Sequence, residues 1–190
     1  MEQDYQYKEK LQAQLRNDYG KVTYTYTSYN KYIQILKKRD KVINVLQIIL
    51  LSISTVGLVS ILSIDSFCVK LISAIFSAIS LGLTLYTNQF RLNDDIRSFT
   101  QGSDELWKIR ADYISLLTDI EQLENKVIAR KRDELLERTD AANRKYPKAN
   151  NRSYRKAQKA LKKNEEQFFS DEELDMMLPK HLRLLPSKKL

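Results

Sequence analysis

The side chains that carry acid–base, nucleophilic or metal chemistry are thinly spread in this chain. His181 is its single histidine and Cys68 its single cysteine. Carboxylates recur as neighbours, Asp94 with Asp95 and Glu165 with Glu166, and adjacent residues on a helix point apart rather than toward one substrate. Gly20, Gly57, Gly82 and Gly102 are too far apart for a phosphate-cradling loop, and no nucleophile elbow of the GxSxG type occurs. The expectation is no catalytic residue, no metal site, no cofactor and no enzyme.

Other residues carry chemistry of a different kind, because they are polar where their surroundings are not. Asn44, Gln47, Ser54 and Thr55 interrupt one uncharged stretch, and Ser73, Ser77, Ser80, Thr84, Thr87 and Asn88 interrupt a second. At about 100° per residue each group falls within an arc of about 100° on its helix. Such hydroxyl and amide faces either line water or pack helix on helix, and both readings stay open. Ala74, Ala78 and Gly82 add a small-residue strip at i, i+4 and i+8 on which another backbone can approach closely.

A third group is cationic. Ala141 to Asn164 holds nine Lys or Arg and no acidic residue, with Arg152, Arg155, Lys156, Lys159, Lys162 and Lys163 as candidate contacts to an anionic surface. A solvated helix face is the plain alternative, and without a Gly-rich loop or interleaved aromatic motif, direct nucleic-acid binding is not expected.

The elements that position these residues follow from charge. Of the 190 residues, 32 are Lys or Arg and 24 Asp or Glu, a formal +8, yet between residues 42 and 90 only Asp65 and Lys70 are charged. Residues 42–64 and 71–90 are each long enough, at about 1.5 Å per residue, to cross the hydrocarbon core. The connector from Asp65 to Lys70 is too short for a folded unit, so the two spans form a hairpin. A buried helix pair of a soluble bundle is the alternative. Lys37, Lys38, Arg39 and Lys41 before the first span, with Arg91 and Arg97 after the second, predict that both termini are cytoplasmic. No signal peptide is expected before the first apolar run, since no short apolar stretch with a small-residue cleavage site precedes it.

Outside the spans, Tyr19, Val22, Tyr26, Tyr29, Ile33 and Leu36 recur at three and four within residues 1–41, predicting a helix that enters the membrane despite the alternating TYTYT at 23–27. In residues 91–190, Leu106, Ile109, Tyr113, Leu116, Ile120, Leu123 and Val127 form a heptad seam, preceded by a break or cap at Gly102 and Ser103. The seam must meet the N-terminal helix of its own chain or a second copy, as a candidate oligomer seam. A break at Pro147, a helix from about Ser153 to Phe168 and a capping box from Ser170 to Glu173 complete the map, with Phe169 and Leu174 as a hydrophobic staple across it. The fold class is all-α: a two-helix transmembrane hairpin with N- and C-terminal cytoplasmic amphipathic helices.

This order of parts, with LWKIRADYISLLTDI after the hairpin and YPKANNRSYRKAQKALKKNEEQFFSDEELDMMLPKHLR in the tail, resembles the SLATT superfamily of two-transmembrane effector domains, in the branch found beside reverse transcriptases. Trp107, Arg110 and Tyr113, with Pro147, Tyr154, Ala157, Leu161, Phe168, Phe169, Glu172, Glu173, Leu178 and Pro179, carry the likeness. It implies a pore-forming or membrane-disrupting effector of anti-phage conflict, acting as a homo-oligomer in the lipid bilayer and causing cell death or growth arrest. It further implies a nucleotide-generating enzyme or reverse transcriptase as partner. The alternative is a non-permeating anchor that recruits a soluble partner through its cytoplasmic helices.

Overall fold

In the computed structural model, which describes residues 2–63, 67–90, 92–167, 169–179 and 183, every regular element is helical. The elements are α1 (Glu2–Ser63), α2 (Phe67–Phe90), α3 (Leu92–Thr118), α4 (Asn125–Lys145), α5 (Asn151–Lys162) and α6 (Asp171–Met177), with a 3-10 turn, Ile120–Gln122, between α3 and α4. The 62 residues of α1 run unbroken from the water-facing end through the first apolar stretch, a length of about 93 Å at 1.5 Å per residue.

α1 and α2 lie side by side as the hairpin. Only 6% of the apolar window of α1 and 11% of that of α2 are buried by the rest of the chain. A core helix pair of a soluble bundle would be mostly covered, so the uncovered runs of Val, Ile and Leu mark a membrane protein. Phe67–Lys70 already belongs to α2, so the expected connector is shorter than six residues; Asp65 lies outside the described residues.

At the other end α3, α4 and α5 pack around the first forty residues of α1. Leu11, Leu15, Val22, Tyr29, Ile33 and Leu36 of α1 meet Phe99, Leu106, Ile109, Tyr113 and Leu116 of α3, with Ile120, Ile128, Leu135, Ala142 and Tyr146 closing the core. Tyr29 and Tyr32 both pack edge-on against Phe99, at 5.1 and 4.6 Å between centroids, and Tyr26 tilts over Trp107 at 5.4 Å. The tyrosines of TYTYT and its neighbours are thus helix-packing residues, and the strand-like alternation is overridden by the three-and-four spacing.

Two expectations are corrected here. α3 continues straight through Gly102 and Ser103. Glycine is needed there for closeness: a Cβ would lie 2.8 Å from Tyr29 Cε2 and 2.9 Å from Tyr146 Cγ. The heptad seam, in turn, is not one helix, because α3 ends at Thr118, the chain reverses through Ile120–Gln122, and Val127 sits on α4, half-buried beside the fully buried Ile128.

Termini follow local rules. α3 opens with Asp94 and Asp95, and α4 closes with Arg144 and Lys145, each matching the helix dipole. Pro147 forces Tyr146 into extended geometry and ends α4. The Asn150 side chain accepts from Ser153 N at 2.9 Å and starts α5, which ends at Lys162 rather than Phe168. The Ser170–Glu173 capping box forms as expected, while Phe169 and Leu174 both stay exposed.

Candidate functional site

The hairpin contact is built from small and polar residues. On α1 the covered positions are Ile43 and Ser54, with Gln47 and Gly57 half-covered; on α2 they are Ser73 and Ser80. A Cβ on Gly57 would overlap Ser73 Oγ and lie 2.9 Å from Ser73 Cβ, so the absent side chain lets the two helices approach closely here. Ser73 Oγ donates to Val69 O at 2.9 Å, and Thr84 Oγ1 to Ser80 O at 3.0 Å, which keeps those hydroxyls satisfied without water. Gln47 Nε2 reaches across to Thr84 Oγ1 at 3.4 Å and Thr87 Oγ1 at 3.5 Å. Ser54 Oγ is buried with no hydrogen-bond partner among the described residues.

The structure therefore divides the two polar arcs. Ser54, Ser73 and Ser80 are enclosed between the helices, and Gln47, Ser77 and Thr87 are half-covered. Asn44, Thr55 and Thr84 are exposed, with Asn44 donating to Asp40 at 3.1 Å and Thr55 to Leu51 O at 2.9 Å. The side chain of Asn88 lies outside the described residues. Ala74, Ala78 and Gly82 face away from α1, and nothing lies within 4 Å of a Cβ on Gly82.

The heptad seam is closed within the chain. Leu106, Ile109, Tyr113, Leu116 and Ile120 are buried against α1 and α4, and Leu123 and Val127 are half-buried. Within one chain the seam takes α1, the first of the two partners expected for it. Burial pushes the Tyr113 phenol above its usual 10.0. Arg110, 8% exposed, lies 5.7 Å from the centre of the Tyr19 ring and 5.1 Å from that of Trp107, stacked with no acid paired to it among the described residues. Around its rim, Glu105 accepts from Tyr146 Oη at 2.9 Å and from Lys145 at 3.3 Å, and these donors hold its carboxyl below 4.5.

α5 packs on α1 through Ser153, Ala157 and Ala160, residues small enough for close approach. Ser28 and Ser153 hydroxyls meet at 3.4 Å, Tyr24 and Tyr154 rings at 5.2 Å, and Lys31 pairs with Glu166 at 2.5 Å, which lowers the Glu166 carboxyl. All six predicted anion-contact residues, Arg152, Arg155, Lys156, Lys159, Lys162 and Lys163, are exposed. Arg152 and Lys156 turn toward the hairpin and line a 730 Å³ cleft with Gln34, Ile35, Lys38, Arg39, Val42, Ile43, Leu83 and Tyr86. Arg39 donates to the Tyr86 hydroxyl and lies 5.7 Å over its ring, joining α1 to α2 at this level. Sequence spacing alone does not reveal this cleft, whose walls come from three separate stretches of the chain, residues 34–43, 83–86 and 152–156; the separate basic clusters at 37–41 and 152–163 were its one signal.

Neither the curated proteins nor the solved structures include a match to this chain. A family model does match, over residues 11–173, and those residues take in the hairpin, the α1–α3 core and α5 just described. The chain belongs to the SMODS and SLOG-associating two-transmembrane effector domain family 4, a membrane-associated effector family of conflict systems.

Proposed function

We propose that this protein resides in a bacterial inner membrane with both termini cytoplasmic, and that on activation it self-associates and permeabilises that membrane, arresting or killing the cell during phage infection. The observation that supports this reading is the inverted polarity of the hairpin: Ser54, Ser73 and Ser80 are held inside while Val42, Ile48, Val56, Ile72, Ile79 and Leu81 face outward. Two helices cannot enclose an aqueous path. Several copies whose hairpins part and share their hydroxyl faces can.

With the α3 seam closed inside each chain, self-association falls to the spans, where the strip Ala74, Ala78 and Gly82 is open to another helix. The trigger is a partner acting on the water-facing helices, a nucleotide-generating enzyme or a reverse transcriptase on the strength of the family likeness.

Induced expression with a membrane-potential dye, in the presence of the neighbouring genes, tests the reading. Depolarisation is expected. Unchanged potential and growth with the protein correctly inserted overturn it. The combined change Ser77→Ala, Ser80→Ala and Thr84→Val should keep insertion and weaken leakage, and full leakage would remove these residues as lining. Exchange of the hairpin for an unrelated one separates this role from an anchor, which would keep its activity.

A further inference from the structure

We propose that the cleft between α5 and the hairpin binds the headgroup of an anionic phospholipid. Four cations line it, Lys38 and Arg39 from α1 and Arg152 and Lys156 from α5, and no carboxylate is among its lining residues. Among the described residues no ion pair engages Lys38, Arg152 or Lys156, so their charge is uncompensated by protein. Cations of two remote segments thus line one cleft, and their like charge favours an anion bound between them.

The apolar part of the same cleft identifies the kind of anion. Ile35, Val42, Ile43 and Leu83 form its floor, and Val42 opens directly onto the exposed membrane face of α1 with Val45 and Leu46. A free phosphate would satisfy the cations and leave this floor wet. A phospholipid places its phosphate among the guanidinium and ammonium groups and its acyl chains along the exposed aliphatic face, and Tyr86, stacked on Arg39, sits at the headgroup level that interfacial aromatics favour. The occupant bridges α5 to both spans, so α5 reads membrane charge at one defined place. This inference rests on the hairpin being in the membrane and is independent of whether it opens a pore.

The test uses the full chain in nanodiscs of phosphatidylcholine with a small fraction of fluorescent phosphatidylglycerol or cardiolipin, scored by energy transfer from Trp107 or by native mass spectrometry. The double change Arg152→Gln with Lys156→Gln should weaken anionic-lipid binding by about thirtyfold, from two cations close to the headgroup. Arg155→Gln with Lys162→Gln removes the same charge from the same helix outside the cleft and should leave the bound lipid nearly unchanged. Both variants alter exposed residues and leave the helical circular dichroism as in the parent chain. Equal losses in the two doubles overturn the site in favour of diffuse surface attraction. Displacement of the lipid by an equal concentration of inorganic phosphate or a nucleotide overturns the lipid in favour of a soluble anion. If depolarisation fails while lipid selectivity persists, the pore reading falls and this inference stands.

Discussion

Replacing Gly57 by valine attacks a close approach between the two helices of the hairpin. A Cβ there lies 2.9 Å from Ser73 Cβ and 3.6 Å from Ser73 Cα, whereas unstrained carbon contacts are about 3.5 to 4.0 Å. Rotation of Ser73 Oγ would relieve part of the overlap only by breaking its 2.9 Å bond to Val69 O, and Ser73 Cβ cannot rotate away. The helices must therefore part, at the cost of about 1 to 3 kcal/mol that overpacking typically imposes. If parted hairpins are the conducting species, that energy raises their population by about 5- to 150-fold. Dye release from liposomes carrying matched amounts of inserted protein reads the change. Gly82→Val is the contrast, since a Cβ there meets nothing within 4 Å and does not press on α1; because Gly82 lies on the strip left open to a second copy, its leakage should equal or fall below that of the parent. Release by Gly57→Val equal to the parent would refute the link between hairpin closure and the resting state.

Three further outcomes concern the water-facing helices. Ile109 is fully buried between α1 and α4, so Ile109→Ala should cost about 2 to 5 kcal/mol, read as a lowered thermal midpoint in detergent. Asn150→Ala removes the cap of α5 and should weaken it by about 1 kcal/mol, seen as faster amide exchange confined to residues 151–162. The Tyr146 hydroxyl holds the Glu105 carboxyl below 4.5, so this contact stabilises the fold above that pH and its contribution is lost as pH falls through the lowered folded value. Tyr146→Phe should therefore flatten the decline of the thermal midpoint from about pH 6 to about pH 3.

The legible part of this fold is the part with water on one side. Tyr19 to Leu36 and Leu106 to Leu116 repeat at three and four because their opposite faces must be charged, and both seams face the core, with Tyr19 and Tyr26 half-buried and the other positions buried. The reversal at Asp119–Glu124 was hidden because Leu116, Ile120, Leu123 and Val127 keep the same spacing across it and no Gly or Pro marks the turn. Gly102 misled for the converse reason: glycine in a helix signals a break as readily as a close approach, and only the rings of Tyr29 and Tyr146 decide between them. Within the hairpin the arcs were readable but their occupancy was not. An arc of about 100° is wider than the strip one neighbouring helix covers, so Ser54 is enclosed and Thr55, one residue on, is exposed.

The two ends of α1 differ in what holds their neighbours. At the water-facing end, Leu15, Ile109, Tyr113 and Ile128 are wholly buried in an apolar core, and opening it would expose that surface to water. In the membrane no such drive exists, because lipid tails solvate leucine as well as protein does. There α2 is held by the close approach at Gly57, by hydrogen bonds from Gln47 of 3.4 and 3.5 Å, and by Arg39 on Tyr86 at the boundary. A load applied to the core is carried by an unbroken helix through residues 37–41 to this weaker contact. In the proposed activation the hairpin is therefore the contact expected to part, with the core passing the load to it.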